Sequence, residues 1–144
     1  MNTIIDNFQG KRPRAQEPQQ TILVIDDSTD TLLLNKTVLE MEGFKVLTAQ
    51  NATEAFALLA EISDFDLILL DMKMDEMSGL EFLDKLEKDR PEIIESVPVV
   101  FLTGVDEIPK CKAVGFLRKP VEMADLAQAV RQFIKAGLSA PIVH

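Results

Sequence analysis

Cysteine and histidine are nearly missing from this sequence: Cys111 is the one thiol and His144, the last residue, the one imidazole. A lone thiol excludes a disulfide framework and a cysteine zinc site. A lone terminal imidazole argues against histidine acid–base catalysis, a Ser-His-Asp triad and a phosphohistidine carrier. Tryptophan and tyrosine are absent altogether. Long hydrophobic runs are missing too. The longest, Val97 to Val105, is broken by Pro98, Thr103 and Gly104 and falls far short of the about 20 residues that span a bilayer. Met1 to Arg14 holds no apolar block of signal-peptide type, so the expectation is a cytoplasmic protein without membrane insertion.

Positive charge is also scarce, with 15 Lys and Arg against 24 Asp and Glu and a net charge of −9. Lys11, Arg12 and Arg14 against Asp6 and Glu17 make the first twenty residues +1, which leaves −10 on the rest. An acidic body repels nucleic acid, whose binding depends on neutralising phosphates. No direct nucleic-acid contact is expected, and the short basic cluster reads as solvated charge. Any chemistry must come from carboxylates, lysines or hydroxyls. At 144 residues, 47% of them hydrophobic, the chain is long and apolar enough for one domain with a proper core.

Residues 1–20 are rich in Gln, Asn, Pro, Arg and Lys without a period and read as a disordered tail. Ile22-Leu23-Val24-Ile25 is a continuous apolar run ending in acids, as expected of a strand buried on both faces. Ser28 or Thr29 caps a helix to about Glu42, stopped by Gly43. Its inward face is read as Leu34, Val38 and Met41, with Leu39 beside them. Lys45–Ala49 is a second strand, and Asn51 caps a helix over 52–61. Leu67-Ile68-Leu69-Leu70 is a third strand ending in Asp71. A loop from Met72 to Ser78 leads to a helix over about 79–90, with Leu80, Leu83 and Leu86 on one face, which Pro91 ends or kinks. Val97–Leu102 and Ala113–Leu117 are strands four and five. A last helix over about 121–136 turns Leu126, Val130 and Phe133 inward and stops at Gly137. Repeated β-α order with buried strands predicts an α/β fold: a doubly wound parallel sheet with helices on both faces. Ligands of such sheets bind outside the carboxyl ends of the strands.

The polar residues collect at that edge. Asp26 and Asp27 follow strand one, Asp71 ends strand three, Thr103 follows strand four and Lys119 follows strand five. Taken singly, each is an ordinary loop acid, cap or solvated lysine. Three acids, a hydroxyl and a lysine on successive strand ends are not accounted for that way. Three converging carboxylates repel one another, each pair by about 4 kcal/mol at 4 Å and an effective dielectric near 20, so one protonates or a cation neutralises them. Without histidine or cysteine ligands, a hard cation such as Mg2+ suits an all-oxygen site. A carboxylate can then act as nucleophile and form an acyl phosphate. A lysine and a hydroxyl would stabilise the phosphoryl oxygens.

The segments Ile22-Leu23-Val24-Ile25-Asp26-Asp27, Leu67 to Met74, Met77-Ser78-Gly79-Leu80, Phe101-Leu102-Thr103-Gly104 and Phe116-Leu117-Arg118-Lys119-Pro120 resemble the receiver domain of two-component response regulators, over about residues 21–136. The resemblance implies a flavodoxin-like five-stranded sheet of order 2-1-3-4-5. It divides the chain into a tail at 1–20, a receiver domain at 21–137 and a short tail at 138–144. It further implies that Asp71 is the phosphoacceptor, and that Asp26, Asp27, Asp71 and the backbone carbonyl of Lys73 hold Mg2+. Thr103 becomes the switch hydroxyl and Lys119 the phosphoryl-binding cation, its bond to Pro120 cis. Phe116 stands at the aromatic switch position, with a plain core aromatic as the alternative.

The sequence departs from that family in places. Asp75 stands where proline is usual, so the loop is looser or capped differently. Lys73 is either a solvated loop lysine or a second cation near the phosphoryl group. The stretch Gly104 to Arg118 is short by roughly one to two helical turns, so the helix between strands four and five is expected to be shortened or absent. With about eight residues after the last helix, the functional expectation is a stand-alone phosphorylation switch. It would be phosphorylated by a histidine kinase or His-phosphotransfer protein and would signal by binding an unidentified protein. On this reading it is no enzyme beyond promoting its own phosphorylation and dephosphorylation. The alternative is a pseudo-receiver adaptor indifferent to phosphate. A haloacid-dehalogenase-type phosphatase is set aside, because Lys73 and Ser28 stand where that chemistry needs an acid two residues after the nucleophile.

Overall fold

The computed structural model describes residues 19–104, 110–119 and 121–137. Five parallel strands, β1 (Thr21–Ile25), β2 (Lys45–Ala49), β3 (Leu67–Asp71), β4 (Val99–Thr103) and β5 (Gly115–Arg118), form one sheet of order β2-β1-β3-β4-β5. Five helices accompany them: α1 (Thr29–Met41), α2 (Ala52–Glu61), α3 (Gly79–Asp89), α4 (Pro91–Ser96) and α5 (Met123–Ala136). This is the doubly wound α/β fold read from the apolar runs.

Strand alternation divides the core into two layers. Leu23 and Ile25 of β1, Ile68 and Leu70 of β3, and Phe101 of β4 face α2, α3 and α4. Ile22, Val24, Leu67, Leu69, Val100 and Leu102 face α1 and α5. Because successive side chains in a strand point to opposite faces, a strand covered on both sides must be apolar throughout. All five residues of β3 and of β4 are buried.

Helix ends follow the sequence signals closely. The Ser28 hydroxyl accepts from Thr31 N–H, and the Asn51 side chain accepts from Glu54 N–H. Gly43 follows α1 with φ +99°, a conformation that side-chain-bearing residues avoid. Helix α5 begins at Met123, two residues later than expected, and its inward residues are Leu126, Ala127, Val130 and Phe133.

Three expectations need correction. Leu34 and Met41 are 52% and 76% exposed, and α1 instead buries Leu32, Asn35, Val38 and Leu39. Leu32-Leu33-Leu34 offers apolar residues on more than one face, so periodicity alone did not choose the face. Pro91 ends α3 and also starts the unanticipated α4, occupying its first turn, where its missing N–H costs nothing. Strand β4 therefore begins at Val99, because Val97 caps α4. Strand β5 begins at Gly115, later than expected.

Between β4 and β5, none of the described residues (104 and 110–114) is helical, as the shortened spacing led one to expect. Residues 105–109, Pro120 with its expected cis bond, the tail at 1–18 and residues 138–144 lie outside the described residues.

Candidate functional site

Backbone bonds just past the strand ends place the polar residues. Asp26 N–H donates to Ala49 O at 3.1 Å, Met72 N–H to Leu102 O at 2.9 Å and Lys119 N–H to Thr103 O at 2.8 Å. The parallel ladder thus continues one residue beyond β1, β3 and β5. Asp26, Asp71 and Lys119 are thereby carried to one edge on rigid backbone.

There the three acids converge. One carboxylate oxygen from each of Asp26, Asp27 and Asp71 lies within 4.8 Å of the others. Asp26 and Asp71 are buried, at 1% and 3% exposure, while Asp27 opens to solvent. Lys119 Nζ donates to Asp71 Oδ1 at 2.7 Å and stands 3.9 Å from Asp26 Oδ2. Asp26 Oδ1 accepts from Ser28 N–H at 2.9 Å, and Asp27 Oδ2 accepts from Asp75 N–H at 2.9 Å.

Burial pushes the Asp26 carboxyl above its ordinary pKa, and the charges on Asp71 and Asp27 push the same way; the Ser28 N–H and Lys119 oppose them. Asp26 Oδ2 is buried without a hydrogen-bond partner. A buried acceptor left unpaired is costly, and here it faces two other acids. The donor set is all oxygen and open on the Asp27 side, which fits a small hard cation such as Mg2+. The fit rests on that orphaned oxygen and on the clustering.

Of the other residues singled out from the sequence, Thr103 ends β4 and is 3% exposed, beside Lys119 through the backbone bond already given. Phe116 is buried on β5, in register with Phe101 of β4, in the layer under α2, α3 and α4. Lys73 is exposed in the loop after β3. The loop is tied to the strand-one acids by the Asp75 amide, which donates to Asp27.

Two features escaped the sequence reading. Ser78 and Glu81 form a reciprocal capping box at the start of α3, and the S-x-x-E spacing was its available signal. Gly79 N–H donates to Met72 O at 2.8 Å. A Cβ at Gly79 would stand 2.5 Å from the Asp71 carbonyl oxygen, so only glycine lets α3 start this close to the acceptor strand.

Residues 22–131 match the family model of the response regulator receiver domain. The transcriptional regulatory protein GlrR of Escherichia coli K12 is 33% identical over 125 residues, covering 83% of this chain and 27% of GlrR. The nisin biosynthesis regulatory protein NisR of Lactococcus lactis is 35% identical over 120 residues, covering 79% of this chain and 50% of NisR. The chain therefore spans between about a quarter and half the length of these relatives. Among solved structures, a response regulator receiver domain protein from Clostridium thermocellum superposes with a TM-score of 0.69 at 34% identity, covering 81% of this chain and 94% of that one. The response regulator TrrA of Thermotoga maritima, in complex with Mg(2+)-BeF, gives 0.67 at 26% identity, covering 79% of this chain and 98% of that one.

Proposed function

Because the chain belongs to the response regulator receiver domain family, we propose that it accepts a phosphoryl group on Asp71 from a histidine kinase or His-phosphotransfer protein and signals through phosphorylation-dependent binding of another protein. The observation that carries this reading is the meeting of three carboxylates with Lys119, whose Nζ lies 2.7 Å from Asp71 Oδ1.

Asp71 supplies the nucleophilic oxygen. Its attack on phosphorus forms the acyl phosphate, and the bond from phosphorus to the donor's nitrogen or oxygen breaks. Burial and the lysine hold the carboxylate in one orientation, so little ordering remains to be done when the donor arrives. Lys119 then pairs with the transferred phosphoryl oxygens, and the Thr103 hydroxyl donates to another. The carboxylates of Asp26, Asp27 and Asp71 and the carbonyl of Lys73 would hold Mg2+, which offsets the negative charge gathering there. The Mg(2+)-BeF complex of the Thermotoga relative supports that choice of metal. Movement of Thr103 would shift a two-state equilibrium across 103–118, toward the buried Phe116. On this reading the protein promotes only its own phosphorylation and dephosphorylation.

The test is incubation with acetyl phosphate and Mg2+ followed by intact-mass analysis. One phosphoryl adduct is expected on the wild type and none on Asp71→Asn. An unmodified wild type would instead support an adaptor that binds partners regardless of phosphate. In the phosphorylated protein, changes in amide exchange are expected to concentrate in 103–118.

A further inference from the structure

Three of the four large apolar side chains exposed among the described residues belong to one helix. Leu33 is 62% exposed, Leu34 52% and Met41 76%, all on α1. Leu34 and Met41 are almost two turns apart, with exposed Thr37 between them, so they share one stripe. Single apolar side chains are ordinary on a surface; a stripe of them is a strip that a second segment can cover. The C-terminal end of this strip is acidic. Glu40 and Glu42 are exposed beside Met41, and the last turn of α1 holds no basic residue, although the helix dipole favours cations there. Lys36 pairs with Glu40 at 2.6 Å and Arg131 with Glu42 at 2.7 Å. Such exposed pairs contribute little and leave the carboxylates open to further cations.

The chain ahead of β1 meets the body at this same end. Gln19 Nε2 donates to Gly43 O at 3.2 Å, and Lys45 N–H donates to Gln20 O at 2.8 Å; Gly43 closely follows Met41. Read outward from the body, the N-terminal segment carries Arg14, Arg12 and Lys11 first, then Phe8, Ile5 and Ile4. The strip has the matching order, acids at Glu42 and Glu40, then Met41 and Leu34. We propose that residues 4–14 of the chain's own N-terminal segment dock on the exposed face of α1, with the cations over Glu40 and Glu42 and the apolar side chains over Met41 and Leu34. Residues 9–18, ten in number, separate Phe8 from Gln19. A flexible linker of that length spans roughly 17 Å on average, and Met41 to Leu34 is about 10 Å along the helix axis, so the reach suffices. Tethering gives the segment an effective concentration on the order of millimolar. That favours it over a second copy or another protein on a strip too small to bind tightly. Helix α1 starts after Ser28, next to Asp26 and Asp27, so the docked segment keeps other proteins off the helix that leads from the acid cluster.

The test uses the full chain with a nitroxide tag on Asn2→Cys, in a Cys111→Ser background so that one thiol is labelled. Amide resonances of α1 from Leu33 to Glu42 should be lost to the tag, while those of α2 and α3, on the opposite face of the sheet, are kept. The combined change Ile5→Asp and Phe8→Asp should restore the α1 signals, and so should Leu34→Asp with Met41→Asp. Leu34 and Met41 are exposed, so these substitutions leave the core intact. Lys11→Glu with Arg12→Glu should restore the signals in part. An unchanged loss of signal in any of these three variants would overturn the proposal. Survival of the α1 signals beside the tag in the parent protein would also overturn it, and would mean that the segment is solvated. A mixture of tagged protein with untagged, isotope-labelled protein tests for a second copy. The α1 signals should stay intact in that mixture; their loss would show contact between chains, and docking within one chain would be ruled out.

Discussion

Lys119 reaches two buried acids at once, with its Nζ 2.7 Å from Asp71 Oδ1 and 3.9 Å from Asp26 Oδ2. Lys119→Ala would leave both carboxylates without that cation. Breaking a buried ion pair costs about 3–5 kcal/mol, but the lysine side chain is 37% exposed, so water recovers part of the loss. A destabilisation of about 2 kcal/mol at pH 7 is expected in metal-free buffer. Urea unfolding with and without Mg2+ checks it. The loss should shrink when the metal is added, because a bound cation replaces the missing charge.

Asp26 should behave in the opposite way. Burial raises its pKa in the folded protein above the unfolded value of about 3.9. The stability this shift contributes is complete below the unfolded value and disappears as pH climbs through the raised folded value. Above that folded value the metal-free wild type therefore carries an ionised acid that the fold disfavours. Asp26→Asn removes that one negative charge and should raise Tm at pH 7–8 by about 4 °C, corresponding to about 1 kcal/mol. Thermal melts should show the difference closing toward pH 4, and Mg2+ should narrow it because the wild type gains a ligand that the variant lacks.

These acids were legible because the strands are buried on both faces. Ile22 to Ile25 and Leu67 to Leu70 are unbroken apolar runs, and the first acid after each marks the carboxyl edge of the sheet. Thr103 and Lys119 could be placed by the same logic. The face of α1 was not legible, since Leu32, Leu33 and Leu34 satisfy several helical stripes and only packing into the layer with Ile22, Val24, Val46 and Leu126 selects Leu32. Helix α4 was hidden because a proline that stops one helix can open the next. The Asp75–Asp27 bond was hidden for a deeper reason: its donor is a backbone N–H, which every residue but proline carries, and residue identity says nothing about where it points.

The capping box at α3 gives a local test. Ser78 Oγ accepts from Glu81 N–H at 3.1 Å, and Glu81 Oε1 accepts from Ser78 N–H at 3.0 Å. Ser78→Ala removes the acceptor for one of the otherwise orphaned N–H groups of the first turn and should cost about 1 kcal/mol. Glu81→Ala should cost no more than Ser78→Ala, since both bonds of the box are exposed. A double-mutant cycle in urea should show the two changes to be less than additive, since each bond steadies the other.

The sharpest steric test lies one residue further on. A Cβ on Gly79 would meet the Asp71 carbonyl oxygen at 2.5 Å, Phe101 Cε1 at 2.8 Å and Met72 Cα at 2.9 Å. Two of these are backbone atoms of the acceptor strand and its first loop residue, so the strain cannot be relieved by turning a side chain. Gly79→Ala should destabilise by about 2–3 kcal/mol, the upper range for overpacking. It should also slow phosphorylation by acetyl phosphate, because the atoms it displaces belong to Asp71 and Met72. Gly43→Ala is the control. That glycine has φ +99° but nothing within 4 Å of a Cβ, so the change should cost about 1 kcal/mol from backbone conformation alone and leave phosphorylation unaffected. Rates measured for the two variants by mass spectrometry, under conditions where both are fully folded, separate displacement of the acceptor from simple loss of stability. Equal rates would mean that the contact of Gly79 with β3 matters for packing and not for the chemistry.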